Sequence, residues 1–133
     1  MNTEKEKLSI LSEMISFAKV DNTVKQVEYD FLFSVAQKLG VTKIVFDGLF
    51  KNEAEHVIPK SEADRLVQFN RLILLMNIDG KQELNEIRRL HDIGLAMGLP
   101  PSAIQQVLSI MHKYPNRIVP PEIVISIFKS HYN

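Results

Sequence analysis

Two pairs of carboxylates share one spacing, and they are the residues of this sequence best suited to chemistry. Asp21 precedes Glu28 by seven positions, and Asp79 precedes Glu86 by the same number. If the two pairs meet, the four carboxylates either retain protons at raised pKa or bind a cation that neutralises them. Ligand sets made only of oxygen suit hard ions such as calcium, magnesium or manganese. The four residues are therefore the candidate metal site, and a divalent cation is the candidate cofactor.

The same carboxylates also have a purely structural interpretation. A Glu at the third position of a helix lies near the positive end of the helix dipole and can accept a hydrogen bond from an exposed amide. An Asp just before the helix can cap its own turn. An EF-hand is excluded, because its loop needs alternating oxygen ligands and Asp21 is followed instead by Thr23 and Lys25. The choice between ion ligands and helix caps stays open.

The segments that carry these pairs repeat one pattern. The distance along the chain from Asp21 to Asp79, called the repeat offset below, also separates three further marker pairs: Met14/Leu72, Glu28/Glu86 and Gly40/Gly98. Apolar positions keep their character at the same offset, as in Leu8/Leu66, Leu11/Phe69, Ile15/Ile73, Val20/Ile78, Leu32/Leu90, Val35/Ile93, Leu39/Met97 and Val41/Leu99. A gap-free match of this length indicates an internal repeat, with copies over about 8–52 and 66–113.

Each copy has the pattern of helices. Apolar residues recur every three and four positions, which predicts amphipathic helices throughout the chain. Start signals are the capping boxes or caps at Thr3, Thr42 and Ser61 and the proline pairs at 100–101 and 120–121. Gly40 and Gly98 suit helix C-termini. We predict a single all-α domain over 1–133: a compact bundle of about seven helices, with a connector over 52–60, a last helix over 121–131 and the two copies packed about a pseudo-two-fold axis.

Composition narrows the partners and the location. The chain has 133 residues, and Lys plus Arg equals Asp plus Glu at 16 each, so it lacks the positive field on which non-specific nucleic-acid binding depends. It contains no Cys. The start of the chain is charged in both signs, and the apolar run 72–76 is too short to cross a bilayer. We expect a cytoplasmic protein with no nucleic-acid partner and no membrane span, and peripheral membrane association stays open.

Catalytic motifs are missing from the sequence. The four His residues are scattered, and none forms the i, i+4 pair of a zinc-protease helix. Neither a Gly-rich phosphate loop nor a nucleophile elbow can be assembled. The expected function is therefore non-enzymatic.

The acidic turns carry a family resemblance. A helix ending in Asp-Gly or Asp-Asn, with a Glu seven residues after the Asp, occurs twice here and resembles the TerB-like tellurite-resistance family. The likeness covers the first helix to the sixth. It implies seven helices with two-fold internal symmetry, a cytoplasmic setting, a link to tellurite or another stress, and metal binding by the acidic turn residues. The sequence departs from the family pattern at Asn22, where Gly is usual, and at Lys25 and Glu83, where a Ser or Thr cap is expected.

Two functions follow from these observations. The first is a TerB-like interaction or sensor module that binds a divalent cation at Asp21, Glu28, Asp79 and Glu86. The second is a structural adaptor, without metal, that binds a partner protein through an exposed apolar patch. Phe31 and Phe33 lie about 200° apart around one helix, so one of them is expected to mark such a patch. A protein partner is expected in both cases, and the sequence does not determine its identity or the oligomeric state.

Overall fold

The structure is a computed structural model that describes residues 3–19, 23–78 and 84–131. Within these residues it contains seven α-helices and no strand, which confirms the all-α prediction. The helices are α1 Glu4–Ala18, α2 Gln26–Leu39, α3 Lys43–Gly48, α4 Glu62–Asn77, α5 Leu84–Ala96, α6 Pro101–Ile110 and α7 Pro121–Ser130. Two short 3-10 turns, Met111–Lys113 and Pro115–Arg117, join α6 to α7. Over the described ranges, none of the helices has the length and apolar character needed to cross a membrane.

Side-chain caps fix where the helices begin. At α1, Thr3 Oγ1 accepts from the Glu6 N–H at 3.2 Å while Glu6 Oε1 accepts from the Thr3 N–H at 2.9 Å, which is the predicted capping box. At α4, Ser61 Oγ accepts from the Asp64 N–H at 3.1 Å. Each bond satisfies an amide that the helix itself leaves unpaired, so the predicted starts of α1 and α4 are confirmed.

Glycines terminate the chain turns that follow α2 and α5. Gly40 and Gly98 both have φ of 77°, a left-handed conformation that costs glycine nothing because it has no Cβ. The Gly40 N–H bonds the Gln37 carbonyl at 3.1 Å, and the Gly98 N–H bonds the Leu95 carbonyl at 2.9 Å. The two predicted glycine caps are therefore confirmed and share one geometry.

Two pairs of helix starts follow the repeat offset found in the sequence. The first residues of α1 and α4 are Glu4 and Glu62. The third helices, α3 and α6, begin at 43 and 101, although α6 has 10 residues and α3 has 6. These starts agree at the offset, while the internal repeat and its packing about a pseudo-two-fold axis stay predictions.

The residues group into two compact units that divide between Ile58 and Pro59. In the first unit α1 packs against α2, and α2 packs against α3. In the second unit α5 packs against α4 and α6, and α7 packs against α4 and α6. Deeply buried apolar side chains include Leu11, Ile15, Leu32 and Phe46 in the first unit and Phe69, Ile73, Leu90, Ile104 and Phe128 in the second.

Candidate binding groove

The structure describes two of the four predicted metal ligands. Asp21 and Asp79 lie outside the described residues. The site made of four carboxylates therefore stays a prediction. Glu28 and Glu86 each occupy the third position of their helix, in α2 and α5. Within the described ranges, no group of three or more His, Cys, Asp or Glu side chains is placed to hold a metal ion.

Glu28 performs the structural role expected of a first-turn carboxylate. Its side chain is only 6% exposed, and Oε1 accepts from the Lys25 N–H at 3.2 Å. Lys25 stands at the N-cap but has no acceptor to return the bond, so α2 has only half of a capping box. The carboxylate therefore stabilises the start of α2, whatever else it binds.

The aromatic residues of the first unit pack among themselves. Phe33 lies 5.7 Å from Phe46 between ring centroids, and Tyr29 lies 5.4 Å from Phe46 and 5.6 Å from Phe50. Phe31 and Phe33 are both half-buried. Phe33 therefore contributes to this aromatic cluster, and more strongly exposed apolar side chains occur in both units, such as Ile44 in the first and Val67 in the second.

The second unit contains an apolar groove between α4 and α7. One stripe of α4 forms one wall, and one stripe of α7 forms the other. The walls consist of Glu62, Ala63, Leu66, Val67 and Asn70 on α4 and of Pro121, Val124, Ile125, Phe128 and Lys129 on α7. The volume of the groove is about 390 Å³, which lies within the range of ligand-binding clefts in proteins.

Exposed apolar side chains make this groove unusual for the surface of a small protein. Val67 is 48% exposed and Ile125 is 43% exposed, one on each wall. Phe128, which lines the groove, meets the buried ring of Phe69 edge to face, with centroids 6.0 Å apart, and this contact joins the two helices. The groove therefore has an apolar rim on two helices that pack together, a combination typical of a surface that binds another molecule.

A second depression in the same unit has a mixed polar and apolar lining. It consists of Ile87, Arg88, His91 and Asp92 on α5 and of Gln105, Leu108 and Ser109 on α6. His91, which stands beside Asp92 in the sequence, thus faces a surface of mixed charge. Because an acidic and a basic side chain lie together here, the depression does not select strongly for a ligand of either sign.

The groove has only a weak signal in the sequence. Both walls follow helical periodicity, and that periodicity by itself predicts burial in a core. A polar residue is expected at position 67 from the other copy, where Ser9 stands, and the sequence has Val67 instead. This departure from the repeat is the one signal that could have pointed to the groove.

Comparison with known proteins leaves these features without a relative to interpret them by. No family model matches the chain, and neither a curated protein nor a solved structure matches it. The resemblance to the TerB-like family therefore rests on the acidic turns alone and stays a prediction.

Proposed function

We propose that this chain is a non-enzymatic adaptor that binds an apolar segment of a partner protein in the groove between α4 and α7. The observation that carries the proposal is the pair of exposed β-branched side chains, Val67 and Ile125, on the two walls of one apolar groove. When a partner covers exposed apolar side chains in a concave site, the removal of apolar surface from water stabilises the complex.

The apolar surface that a partner can cover in the groove sets the expected affinity. Burying a Val or Ile side chain completely contributes about 1.5–3 kcal/mol, so covering two half-exposed ones contributes roughly half of that each. A micromolar complex needs about 8 kcal/mol. The partner's own apolar side chains must supply most of the rest, and we expect Kd values in the micromolar range or weaker.

A library selection tests the proposal. Random linear peptides selected on the intact chain should be enriched in apolar residues, and their binding should be lost on Val67→Asp and on Ile125→Asp. Ile44→Asp is the matched control, because Ile44 is 86% exposed on α3 of the first unit and does not line the groove. Peptides that bind Val67→Asp as well as the parent chain would overturn the proposal.

A second candidate function is favoured by the matched acidic turns. Glu28 and Glu86 occupy the same helical position in α2 and α5, and an Asp precedes each by seven residues. We propose, as the alternative, a TerB-like sensor of tellurite or another stress that binds calcium, magnesium or manganese at Asp21, Glu28, Asp79 and Glu86. Four carboxylates brought together would hold such an ion through oxygen ligands.

Thermal unfolding separates the two candidates. A bound ion raises the unfolding midpoint, because stabilisation follows RT ln(1 + [L]/Kd). Under the cation proposal, calcium, magnesium or manganese shifts the midpoint of the parent chain, and Asp21→Asn with Asp79→Asn removes the shift. If the midpoint does not respond to any of these ions, the carboxylates serve as caps alone.

A further inference from the structure

In the first unit, one face of α1 is covered by an extended piece of the chain. Ser12 Oγ accepts from the Ala54 N–H at 2.9 Å, and Ser9 Oγ accepts from the Val57 N–H at 2.6 Å. Residues 53–59 have no helix or strand of their own. Because the segment advances from Ser12 towards Ser9, residues 54–57 run antiparallel to α1.

Three residues of α1 define the face that the extended segment covers. Lys5 on the same face forms an exposed ion pair with Glu55, with Nζ and Oε2 3.7 Å apart. Ser9 is 4% exposed and Ser12 is fully buried, although serine is a polar residue that usually lies at the surface. The extended segment therefore buries the two hydroxyls and satisfies them through its backbone.

The same face of α4 is the wall of the groove. At the repeat offset, the counterparts of Lys5, Ser9 and Ser12 are Ala63, Val67 and Asn70, and all three line it. Val67 is 48% exposed where its counterpart Ser9 is 4% exposed. One face of the repeated helix is thus covered in the first copy and open in the second.

The chain of the second unit cannot cover its own helix in the same way. The counterpart of Val57 at the repeat offset is Pro115, and proline has no N–H to donate. Residues 111–113 and 115–117 form 3-10 turns instead, and the buried Asn77 fixes them by donating from Nδ2 to the Arg117 carbonyl at 3.1 Å. Residues 112–115 therefore cannot repeat on α4 the bond that the Val57 N–H makes on α1.

The charges of the groove restrict that molecule. Its two charged residues are Glu62 and Lys129, one of each sign, and the remaining polar residue is the neutral amide of Asn70. Nucleic acid and anionic membrane surfaces need several cations together. A net-neutral apolar occupant is the complement of this lining.

We infer that the groove takes an uncharged, apolar, extended segment of a partner protein, which runs antiparallel to α4 as residues 54–57 run along α1. Asn70 accepts a backbone N–H of this segment through Oδ1, in the place where Ser12 accepts the Ala54 N–H. The inference rests on the proposed function and adds the conformation of the partner and the direction of its chain.

The chain itself supplies the first probe. A capped peptide of residues 53–58 carrying Glu53→Gln and Glu55→Gln has the covering sequence without its charges, and at about pH 8 its histidine is neutral. Titrated into the intact ¹⁵N-labelled protein, it should shift the signals of Leu66, Val67 and Ile125. Val67→Asp should abolish these shifts and Ile44→Asp should leave them unchanged.

A double-mutant cycle tests the backbone hydrogen bond. Asn70→Ala should weaken binding about 2- to 10-fold, the value of one typical hydrogen bond. Methylating the peptide nitrogen that corresponds to Ala54 should weaken binding to the parent protein by a similar factor and should have no further effect on Asn70→Ala. Additive losses would show that the two groups do not pair and would overturn the inference.

The other outcomes separate this inference from the proposed function. If library-selected peptides shift the groove signals but bind as helices, the inference is wrong and the adaptor proposal stands. If decanoate shifts these signals and peptides do not, the groove takes small apolar ligands and both are wrong. If no peptide shifts them, both are wrong as well.

Discussion

Gly94 on α5 has no Cβ, whereas the residue at the equivalent position of the first copy has one. Its counterpart in the first copy is Ala36, which is fully buried. A Cβ on Gly94 would lie 2.7 Å from Ile104 Cδ1 and 3.0 Å from Phe69 Cε1. The counterpart of Phe69 is the smaller Leu11. The first copy thus has the larger residue at position 36 and the smaller one at position 11, and the second copy has the reverse.

Gly94→Ala is therefore expected to destabilise the protein. Alanine favours the helix by about 1 kcal/mol over glycine, but overpacking typically costs about 1–3 kcal/mol, and the ring of Phe69 has little room to move. Gly48→Ala is the matched control, because no atom lies within 4 Å of its added carbon and the helical gain should appear alone. Urea unfolding measures both. Equal stabilisation by the two changes would contradict the packing argument.

Asp47 is a second residue whose neighbours define its chemistry. Lys43 Nζ donates to Oδ2 at 2.7 Å and Tyr29 Oη donates to Oδ1 at 2.6 Å. The hydrogen bond from Lys43, followed by that from Tyr29, lowers the pKa of the Asp47 carboxyl. The same carboxylate raises the pKa of Tyr29. It thus links α3 to α2 while it remains ionised.

The direction of the Asp47 shift predicts the acid response. A carboxyl whose pKa is lowered by folding stabilises the native state at pH values above its pKa in the unfolded chain, which is about 3.9. This contribution is lost as the pH falls through the lowered pKa of the folded state. Asp47→Asn should therefore reduce stability at neutral pH and flatten the acid limb of stability against pH. Asp30→Asn removes a carboxylate that accepts from the Gln26 amide and is the control for the loss of one negative charge. An acid limb that is the same in Asp47→Asn as in the parent chain would contradict the prediction.

At the scale of elements, the helices differ in how well their first turns are satisfied. Ser61 supplies a side-chain acceptor at the start of α4, whereas Lys25 supplies none at the start of α2. Both N-cap residues have extended backbone, with ψ of 146° and 151°. A serine at position 25 would therefore meet the geometry that Ser61 already uses.

The two caps give opposite predictions. Ser61→Ala should cost about 0.5–2 kcal/mol because the Asp64 N–H loses its acceptor, and Lys25→Ser should gain up to about 1 kcal/mol by supplying one. Chemical denaturation of both variants, with the parent chain alongside, measures the two changes. A loss of stability on Lys25→Ser would mean that the contacts of the lysine side chain outweigh a cap.

The extended segment over 54–57 depends on two buried hydroxyls of α1. Ser12→Ala should leave the Ala54 N–H without its acceptor, at a cost of about 1–3 kcal/mol. Amide hydrogen exchange at Ala54 should accelerate in this variant. Ser109→Ala is the control, because that exposed hydroxyl bonds a carbonyl of its own helix, and it should change stability by no more than about 0.5 kcal/mol. Unchanged exchange at Ala54 would argue that the segment is held by other contacts.

At the scale of the whole molecule, the chain consists of two units with matching helix starts. The starts of α1 and α3 have counterparts at the repeat offset in α4 and α6, and α7 has no counterpart among the described residues of the first unit. The additional helix α7 forms the groove of the second unit together with α4.

Pairs of spin labels test the predicted pseudo-two-fold packing. Such an axis exchanges positions related by the repeat offset, so the distance from Gln37 to Glu62 should equal the distance from Leu95 to Glu4. All four residues are exposed, and the chain contains no cysteine to interfere with labelling. Dipolar spectroscopy on the two double-cysteine variants measures both distances. Clearly unequal distances would rule out the axis, even though the local structures agree.

The sequence by itself determined the seven helices, their caps and the offset between the copies. These features depend on signals that act over three or four residues, such as the bond between Thr3 and Glu6 or the left-handed Gly40. The half capping box at Glu28 belongs to the same class. A carboxylate placed seven residues after an aspartate can therefore be assigned a cap role from sequence, whatever its role in ion binding.

Only the tertiary structure decided which faces of these helices are covered. Ser12 meets Ala54 across 42 residues and Ser9 meets Val57 across 48, and no local pattern encodes such pairings. For the same reason periodicity could not separate the half-buried Phe33, packed among aromatic rings, from the exposed Val67 beside the groove. An apolar stripe indicates that a face should be buried, and the partner that buries it is determined by packing between distant segments.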